Sequence, residues 1–303
     1  MPSILDSAKH GLVLLPASGR ETLRALGRDA KTWLNGLVTS DLKPVTAGQG
    51  GYGLLLSKQG KIQSDLEIVA QGESLLFTVA EGLGAGILES LEHFLIMEDV
   101  ELSAAPELDW LRFVGRPELA TRVLSGSSLE PHQLDWTGLG GTLCFVPKPS
   151  RGEILSKLAQ SDDLVRATPE QAKFLSLACG FPEYGVDYGS DQNPHEAALD
   201  RRAVSWNKGC YLGQEVVCMQ DMRGKVKRRL VILELEAGSA PTRGAAISAT
   251  EGGESVGELT SVASDAGRTL AFARMKAPHF ESAQPLYVEG AGAARILAPA
   301  TLG

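Results

Sequence analysis

Long hydrophobic runs are missing from this chain, and so are a basic excess, clustered cysteines and any abundance of histidine or aromatic side chains. Each absence removes a class of protein. A membrane-spanning helix needs about 20 apolar residues in a row, and no stretch offers them. The apolar run Leu12 to Leu15 is too short for a signal peptide and meets Pro16 at once, so the cytoplasm is the expected location. A net charge of −8 is the wrong sign for a general nucleic-acid or membrane-surface binder, which carries a basic footprint. No direct nucleic-acid contact is therefore expected, and an anionic ligand must be met by a local patch. Cys144, Cys179, Cys210 and Cys218 show no C-x-x-C spacing, so no metal centre is expected, and a disulfide framework does not suit a chain of 303 residues in a reducing compartment. With only 5 histidines, no Ser-His-Asp arrangement can be assembled, and His195 beside Asn193-Pro194 reads as a loop or capping residue.

Hydrophobic residues at 43% and charged residues at 22% describe an ordinary globular chain, and 34 glycines against 6% aromatics favour many turns between short strands. The length exceeds what one hydrophobic core organises, which predicts two or three domains. Leu12 to Leu15 and Thr22 to Leu26 read as strands, and Asp29 as the N-cap of a helix of two to three turns carrying Ala30, Trp33, Leu34 and Leu37. Gly48-Gln49-Gly50-Gly51-Tyr52-Gly53 has dinucleotide-loop spacing, but Pro44 precedes it and Leu54-Leu55-Leu56 follows, so it reads as a loop feeding a strand. A meander is predicted over Tyr52 to Ser57, Lys61 to Ala70 and Leu75 to Ala80, with Asp65 in the polar face of its middle strand; a solvated face is the simplest reading of Asp65. An amphipathic helix follows, with Leu83, Ile87, Leu88, Leu91, Phe94 and Leu95 on one side. Leu111-Arg112-Phe113-Val114-Gly115-Arg116 repeats the pattern of Leu23-Arg24-Ala25-Leu26-Gly27-Arg28, which suggests a pseudo-duplicated α+β body of split β-α-β type. Leu143 to Val146 reads as a strand and Arg151 to Gln160 as a helix, and Thr168-Pro169-Glu170-Gln171 is a helix start with a reciprocal capping pair, stopped by Gly180. An irregular segment, Phe181 to Asn207, follows, and beyond Gly224 short strands at Val231, Gly257, Leu270 and Leu286 predict a small β-barrel or sandwich. The expected division is 1–224 for the α+β region and 225–303 for the β domain.

At that junction stands Lys208-Gly209-Cys210-Tyr211-Leu212-Gly213-Gln214-Glu215. Domain junctions favour ligand sites. The ammonium of Lys208, two residues from Cys210, would favour a reactive thiolate, while the bland alternative is a small buried hydrophobe. Gln214 and Glu215 either read a ligand or begin a solvated strand. Arg223, Lys225, Lys227, Arg228 and Arg229 form a basic run suited to a carboxylate or phosphate tail, or simply a solvated face. Cys218, after Val216-Val217, reads as core.

This motif, followed by Arg223-Gly224, resembles the signature of the YgfZ-type folate-binding proteins, relatives of the glycine-cleavage T-protein aminomethyltransferase. Supporting matches are Leu37-Val38-Thr39-Ser40-Asp41, Gly60-Lys61-Ile62-x-x-Asp65-Leu66, Glu98-Asp99-Val100, and Gly180-x-Pro182-x-x-Gly185-x-Asp187 with Pro194-x-Glu196-x-x-Leu199. The resemblance implies a three-part aminomethyltransferase-like α+β body around a pocket for tetrahydrofolate or a one-carbon derivative, with a C-terminal β-barrel. It implies a role in supporting maturation or repair of iron–sulfur enzymes, including tRNA-modifying ones, with folate and those enzymes as partners. It makes Asp65 a candidate facing the folate, joined by Tyr211, Gln214, Glu215 and Arg223, with Lys208 and Cys210 as the reactive pair on the opposite wall. The alternatives are a true aminomethyltransferase and a cluster or metal carrier using Cys210. The chain departs from the transferase pattern at Ala178, where a pterin-gripping glutamate is expected, and at Cys218-Met219, which replaces Ala-Arg.

Overall fold

A computed structural model describes residues 3–17, 19–224 and 226–298. In chain order the elements are α1 (Ile4–His10), β1 (Leu12–Leu14), β2 (Arg20–Leu26), α2 (Ala30–Asn35), β3 (Gly50–Leu56), β4 (Ile62–Gln71), β5 (Ser74–Ala80), α3 (Gly84–Glu92) and β6 (Glu101–Ala104). Then come β7 (Leu108–Gly115), α4 (Pro117–Val123), β8 (His132–Gln133), β9 (Gly141–Pro147), α5 (Arg151–Leu158), β10 (Leu164–Arg166), α6 (Pro169–Cys179) and α7 (Gln214–Arg223). The chain finishes with β11 (Arg228–Leu235), β12 (Ala246–Ser248), β13 (Ser255–Asp265), β14 (Arg268–Lys276), β15 (Leu286–Val288) and β16 (Gly292–Leu297).

The expected α+β body with a C-terminal barrel is what these elements build. One five-stranded sheet runs β3-β4-β5-β2-β6 and a second runs β10-β1-β7-β9-β8, while the last six strands close into a barrel. The pseudo-repeat has a physical basis at its two glycines. Gly27 and Gly115 end β2 and β7 at φ of 132° and 121°. A Cβ there would lie 2.0 Å from the carbonyl oxygen of Asp99 or 2.3 Å from that of Gly11. Only glycine fits where each strand turns against a neighbouring backbone.

Each sheet buries its outer face under its own helices. Leu55, Leu66, Ile68 and Phe77 pack with Trp33 and Leu34 of α2 and Ile87 and Leu91 of α3. Phe113 and Cys144 pack with Ala120 of α4 and Leu158 of α5. The inner faces meet in one central cluster, where Val69, Leu76, Trp110 and Val114 join Phe174 of α6, Phe181, and Ile232 and Phe272 of the barrel. That arrangement overturns the solvated reading of the middle meander strand: Asp65 is 3% and Glu67 0% exposed. The strand is amphipathic, but a second sheet covers its polar side.

Two local expectations were off. Asp29 holds the cap position of α2 without a capping bond, because its Oδ2 accepts from the amide of Asp99, and the helix has only 6 residues. Gln214 and Glu215 begin no strand; they form the first turn of α7.

The start of α6 matches its sequence signal. Thr168 Oγ1 accepts from the Gln171 amide at 3.2 Å, Gln171 Oε1 accepts from the Thr168 amide at 3.0 Å, and Gly180 closes the helix in the left-handed conformation at φ 67°. The barrel is tied to the segment after α6 by a bulge in β13 between Leu259 and Ser261. The bulge brings consecutive hydroxyls, Thr260 and Ser261, onto one carboxylate oxygen of buried Asp187 at 2.7 and 2.6 Å. No helix among the described residues is long and apolar enough to cross a membrane.

Because the Thr168 cap serves a helix that packs against the barrel, Thr168→Ala should lower stability by about 1 kcal/mol, read as an earlier urea midpoint with an unchanged slope.

Candidate functional site

Two guanidiniums and two carboxylates meet between the inner faces of the sheets. Arg20, at the start of β2, donates through Nη1 to both oxygens of Asp65 at 3.1 Å, and through Nη2 to the carbonyls of Asp65 and Thr78 at 3.1 and 3.2 Å. Its Nε donates to Thr78 Oγ1 at 2.9 Å, and that hydroxyl donates onward to Glu67 Oε2 at 3.1 Å. From the other sheet Arg112 pairs with Glu67 Oε1 and lies between the rings of Trp110 and Trp136, 4.7 and 4.6 Å from their centroids. Asp65 and Glu67 reach the same place because residues two apart on a strand share a face. Burial lowers the pKa of both guanidiniums, but for Arg20 the two carboxylates outweigh it and the net direction is upward, whereas for Arg112 burial wins over Glu67.

Tyr52 joins this network to the ligand-sized space beside it. Its hydroxyl donates to Asp65 Oδ2 at 3.3 Å and its ring meets Phe181 at 5.1 Å between centroids. Burial first, and the Asp65 charge second, push the Tyr52 phenol well above its ordinary value. Tyr52 and Phe181 stand between two cavities. The larger, of about 440 Å³, lies between the α+β body and the barrel, walled by Tyr52, Trp136, Leu230, Ile232 and Phe272, with Asp135, Arg201, Arg202 and Arg229 as its charged groups. The smaller, of about 230 Å³, is lined by Arg20, Asp65, Arg112, Lys173 and Tyr184. Within the larger, Arg202 donates to the carbonyls of Trp136 and Cys179, and Asp135 accepts the amides of Thr137, Gly138 and Gly140. Ala178 is a buried member of the central core and lines neither cavity.

The structure separates what the sequence reading had joined. Asp65 lines the smaller cavity, while Lys208, Cys210, Tyr211, Gln214, Glu215 and Arg223 line neither. The motif is therefore not the wall opposite Asp65. Its ammonium does not serve its thiol either: Lys208 Nζ donates to the carbonyls of Asn35, Val38 and Ser40 at 2.5, 2.8 and 2.8 Å. Three such acceptors call for the three protons of the charged form. Burial pushes this amine down to about 8, with Asp41 opposing, so the ammonium predominates at neutral pH. Tyr211 is buried with Leu54, Leu56, Tyr188 and Val217, on the strand face that also carries Asp65, and 5.5 Å separates Lys208 Nζ from its ring centroid. Gly213, at φ 78°, lets the loop turn into α7 where a Cβ would meet the Ser57 carbonyl oxygen at 2.5 Å. Lys208 and Tyr211 thus fasten the loop, while Cys210 is exposed.

His195 lies in a turn of the irregular segment, as expected, but it is buried rather than a solvated loop residue. It is 4% exposed, with Nε2 3.3 Å from Asp221 Oδ1 and its ring against Trp206. Cys218 is half-buried rather than core, Arg223 is exposed at the end of α7, and Lys225 lies outside the described residues. Sequence reasoning missed Arg20, Arg112, Glu67, Trp136 and Phe181. The available signal was the Asp65-x-Glu67 pair on one strand face, which needs cationic partners once that face is covered.

Comparisons agree with this architecture. A family model described as the CAF17 C-terminal beta-barrel domain matches residues 227–301. The chain is 25% identical over 252 residues to the tRNA-modifying protein YgfZ of Yersinia enterocolitica, covering 80% of this chain and 76% of that protein. It is 26% identical over 230 residues to the protein of the same name from Yersinia pseudotuberculosis, covering 72% and 69%. The glycine cleavage system aminomethyltransferase T from Bartonella henselae superposes with a TM-score of 0.81 over 98% of this chain and 88% of that one, at 18% identity. The resemblance to YgfZ-type proteins and the aminomethyltransferase T fold both stand.

The four thiols should separate by reactivity. Burial pushes Cys144 and Cys179 up to about 12, which leaves them protonated at pH 8. Alkylation at pH 8 followed by peptide mapping should label Cys210 first, Cys218 more slowly, and Cys144 and Cys179 only in denaturant.

Proposed function

We propose that this chain is a tetrahydrofolate-binding accessory protein of the YgfZ type, acting in the cytoplasm to support maturation or repair of iron–sulfur enzymes, including tRNA-modifying ones. The observation that carries the reading is the cavity of about 440 Å³ between body and barrel, on a fold shared with an aminomethyltransferase. A reduced folate has a flat ring, an aromatic linker and an anionic tail. The cavity offers Tyr52 and Trp136 for stacking, Leu230, Ile232 and Phe272 as apolar wall, Asp135 as an acceptor, and Arg201 and Arg229 as cations. When bound, the folate supplies the nitrogens that carry one-carbon units. Asp65 acts at one remove, by holding the Tyr52 hydroxyl.

The accessory reading is preferred to aminomethyl transfer on two counts. Arg20 occupies both oxygens of Asp65, and Ala178 brings no carboxylate to the site. The Cys210 thiol, outside the ligand cavities and facing solvent, is suited to act on a macromolecular partner rather than on the folate.

Calorimetric titration of tetrahydrofolate should give micromolar binding to the wild type, weakened at least about tenfold in Ala198→Trp, which fills the cavity. No heat with the wild type would sink the folate assignment. In a host lacking its own YgfZ-type protein, Cys210→Ala should fail to restore iron–sulfur enzyme activity while still binding folate. Full restoration would remove the thiol from the function.

A further inference from the structure

Glu98-Asp99-Val100, one of the stretches the sequence singles out, lines neither ligand cavity. It closes the turn between α3 and β6, whose tip is Ile96 and Met97. These two side chains are 86% and 91% exposed, although a turn that only reversed the chain would be built of polar residues. The tip is fixed from both sides. Glu98 Oε2 accepts the amides of Ile96 and Met97 at 2.8 and 3.0 Å, which holds that carboxyl below its usual range and charged at neutral pH. Behind it the Asp99 amide donates to Asp29 Oδ2 at 2.9 Å, Arg28 Nε lies 3.2 Å from Asp99 Oδ2, and the Trp33 indole donates to the Phe94 carbonyl at 3.1 Å. Between α2 and this turn runs an open groove of about 460 Å³. Trp33, Leu37 and Phe94 give it an apolar lining, and Asp29 and Glu98 are the charged residues of its wall.

We propose that this tip and groove form a docking site for a basic amphipathic helix of a partner protein, separate from the folate cavity and from Cys210. Apolar side chains already fixed in place bind without the ordering cost that a mobile loop carries. A helix laid in the groove buries its apolar stripe against Trp33, Leu37 and Phe94, with Ile96 and Met97 along one flank, and its cations meet Asp29 and Glu98. Charge selects this occupant. Glu92, Asp99 and Glu101 are exposed around the tip, while of the cations near it Arg28 is engaged by Asp29 and Asp99, and Lys31 by the Lys43 carbonyl. An acidic rim on a chain whose net charge is −8 repels nucleic acid, an anionic lipid surface and a second copy of the chain alike, and draws in a cationic segment. The inference does not depend on the folate reading.

The test titrates two probes into the full chain labelled at its methionine methyls: a helical peptide of about 18 residues with leucine on one face and lysine on the other, and its leucine/glutamate counterpart. The lysine peptide should shift the Met97 methyl signal, leave those of Met219 and Met222 on α7 in place, and bind with a Kd of about 10 μM at low salt. Affinity read by calorimetry should fall about tenfold in Ile96→Ser/Met97→Ser and at about 1 M salt. It should fall about threefold in Glu98→Gln, which keeps an oxygen for both amides, and both variants should melt at the wild-type temperature. Equal binding of the glutamate peptide, unchanged affinity in the serine variant, or shifts confined to Met219 and Met222 would overturn the inference. Co-sedimentation of the wild type, but not the serine variant, with phosphatidylglycerol vesicles would assign the tip to a membrane surface. A dimer in the wild type that the serine variant lacks would assign it to a second copy of the chain. Either outcome overturns the proposed partner.

Discussion

The fold depends on a charge arrangement that sits where charge is most costly. Arg20, Asp65, Glu67 and Arg112 come from β2, β4 and β7, so the quartet joins one sheet to the central strand of the other. Taking an ion from water into a protein interior costs several kcal/mol, and only paired, hydrogen-bonded geometry offsets it. Here the offset is nearly complete. Asp65 accepts from Arg20 and Tyr52, Glu67 from Thr78 and Arg112, and Arg112 is also sandwiched by two indoles. A rearrangement that parted the sheets would leave two carboxylates and two guanidiniums uncompensated. The quartet thereby specifies the relative placement of the two halves more sharply than their apolar faces, which tolerate repacking.

The same logic governs the motif at the domain junction. An amine, a thiol and a phenol within four residues suggest mutual activation when read as a string. In space two of the three are structural: the ammonium closes on three carbonyls, of the last residue of α2 and of the chain just after it, and the phenol is buried under the meander. Those carbonyls would otherwise lie at the end of a six-residue helix with few partners. The consequence is positional. A loop held by a buried cation on one side and by a glycine against the Ser57 carbonyl on the other presents Cys210 outward in a fixed place.

Local signals were legible in the sequence and non-local ones were not. The capping pair at Thr168 and Gln171, the three-strand meander and the Gly27/Gly115 repeat are encoded within a few residues, where periodicity and capping chemistry act directly. The barrel was legible from turn spacing, but β12 and β16, of 3 and 6 residues and rich in alanine, were too short and too poor in strand-favouring residues to stand out. Asp65 shows the limit well. Its strand alternates as an edge exposed to water would, and nothing in ten residues reveals that a second sheet with Arg112 lies across from it. Period tells which side chains share a face, and only tertiary pairing tells what that face meets. Lys208 fails in the opposite direction: adjacency in sequence suggested a partner, and residues more than 160 positions away supplied the real ones.

The cavity and the cysteine loop are separate but packed against common residues. Tyr52 belongs to the wall of the larger cavity, donates to Asp65, and packs against the cluster that buries Tyr211 and Tyr188. Tyr188 in turn meets Tyr184, a wall of the smaller cavity, edge to face at 5.5 Å. A ligand that shifts the Tyr52 ring must therefore disturb either a buried charge pair or the apolar bed under the cysteine loop. Moving the charge pair exposes uncompensated ions, and moving the tyrosine rings of a close-packed cluster forfeits their contacts, so both hold the Tyr52 ring in place. The ligand-sized cavity and the loop that carries the exposed thiol thus adjoin one strand face without sharing one pocket.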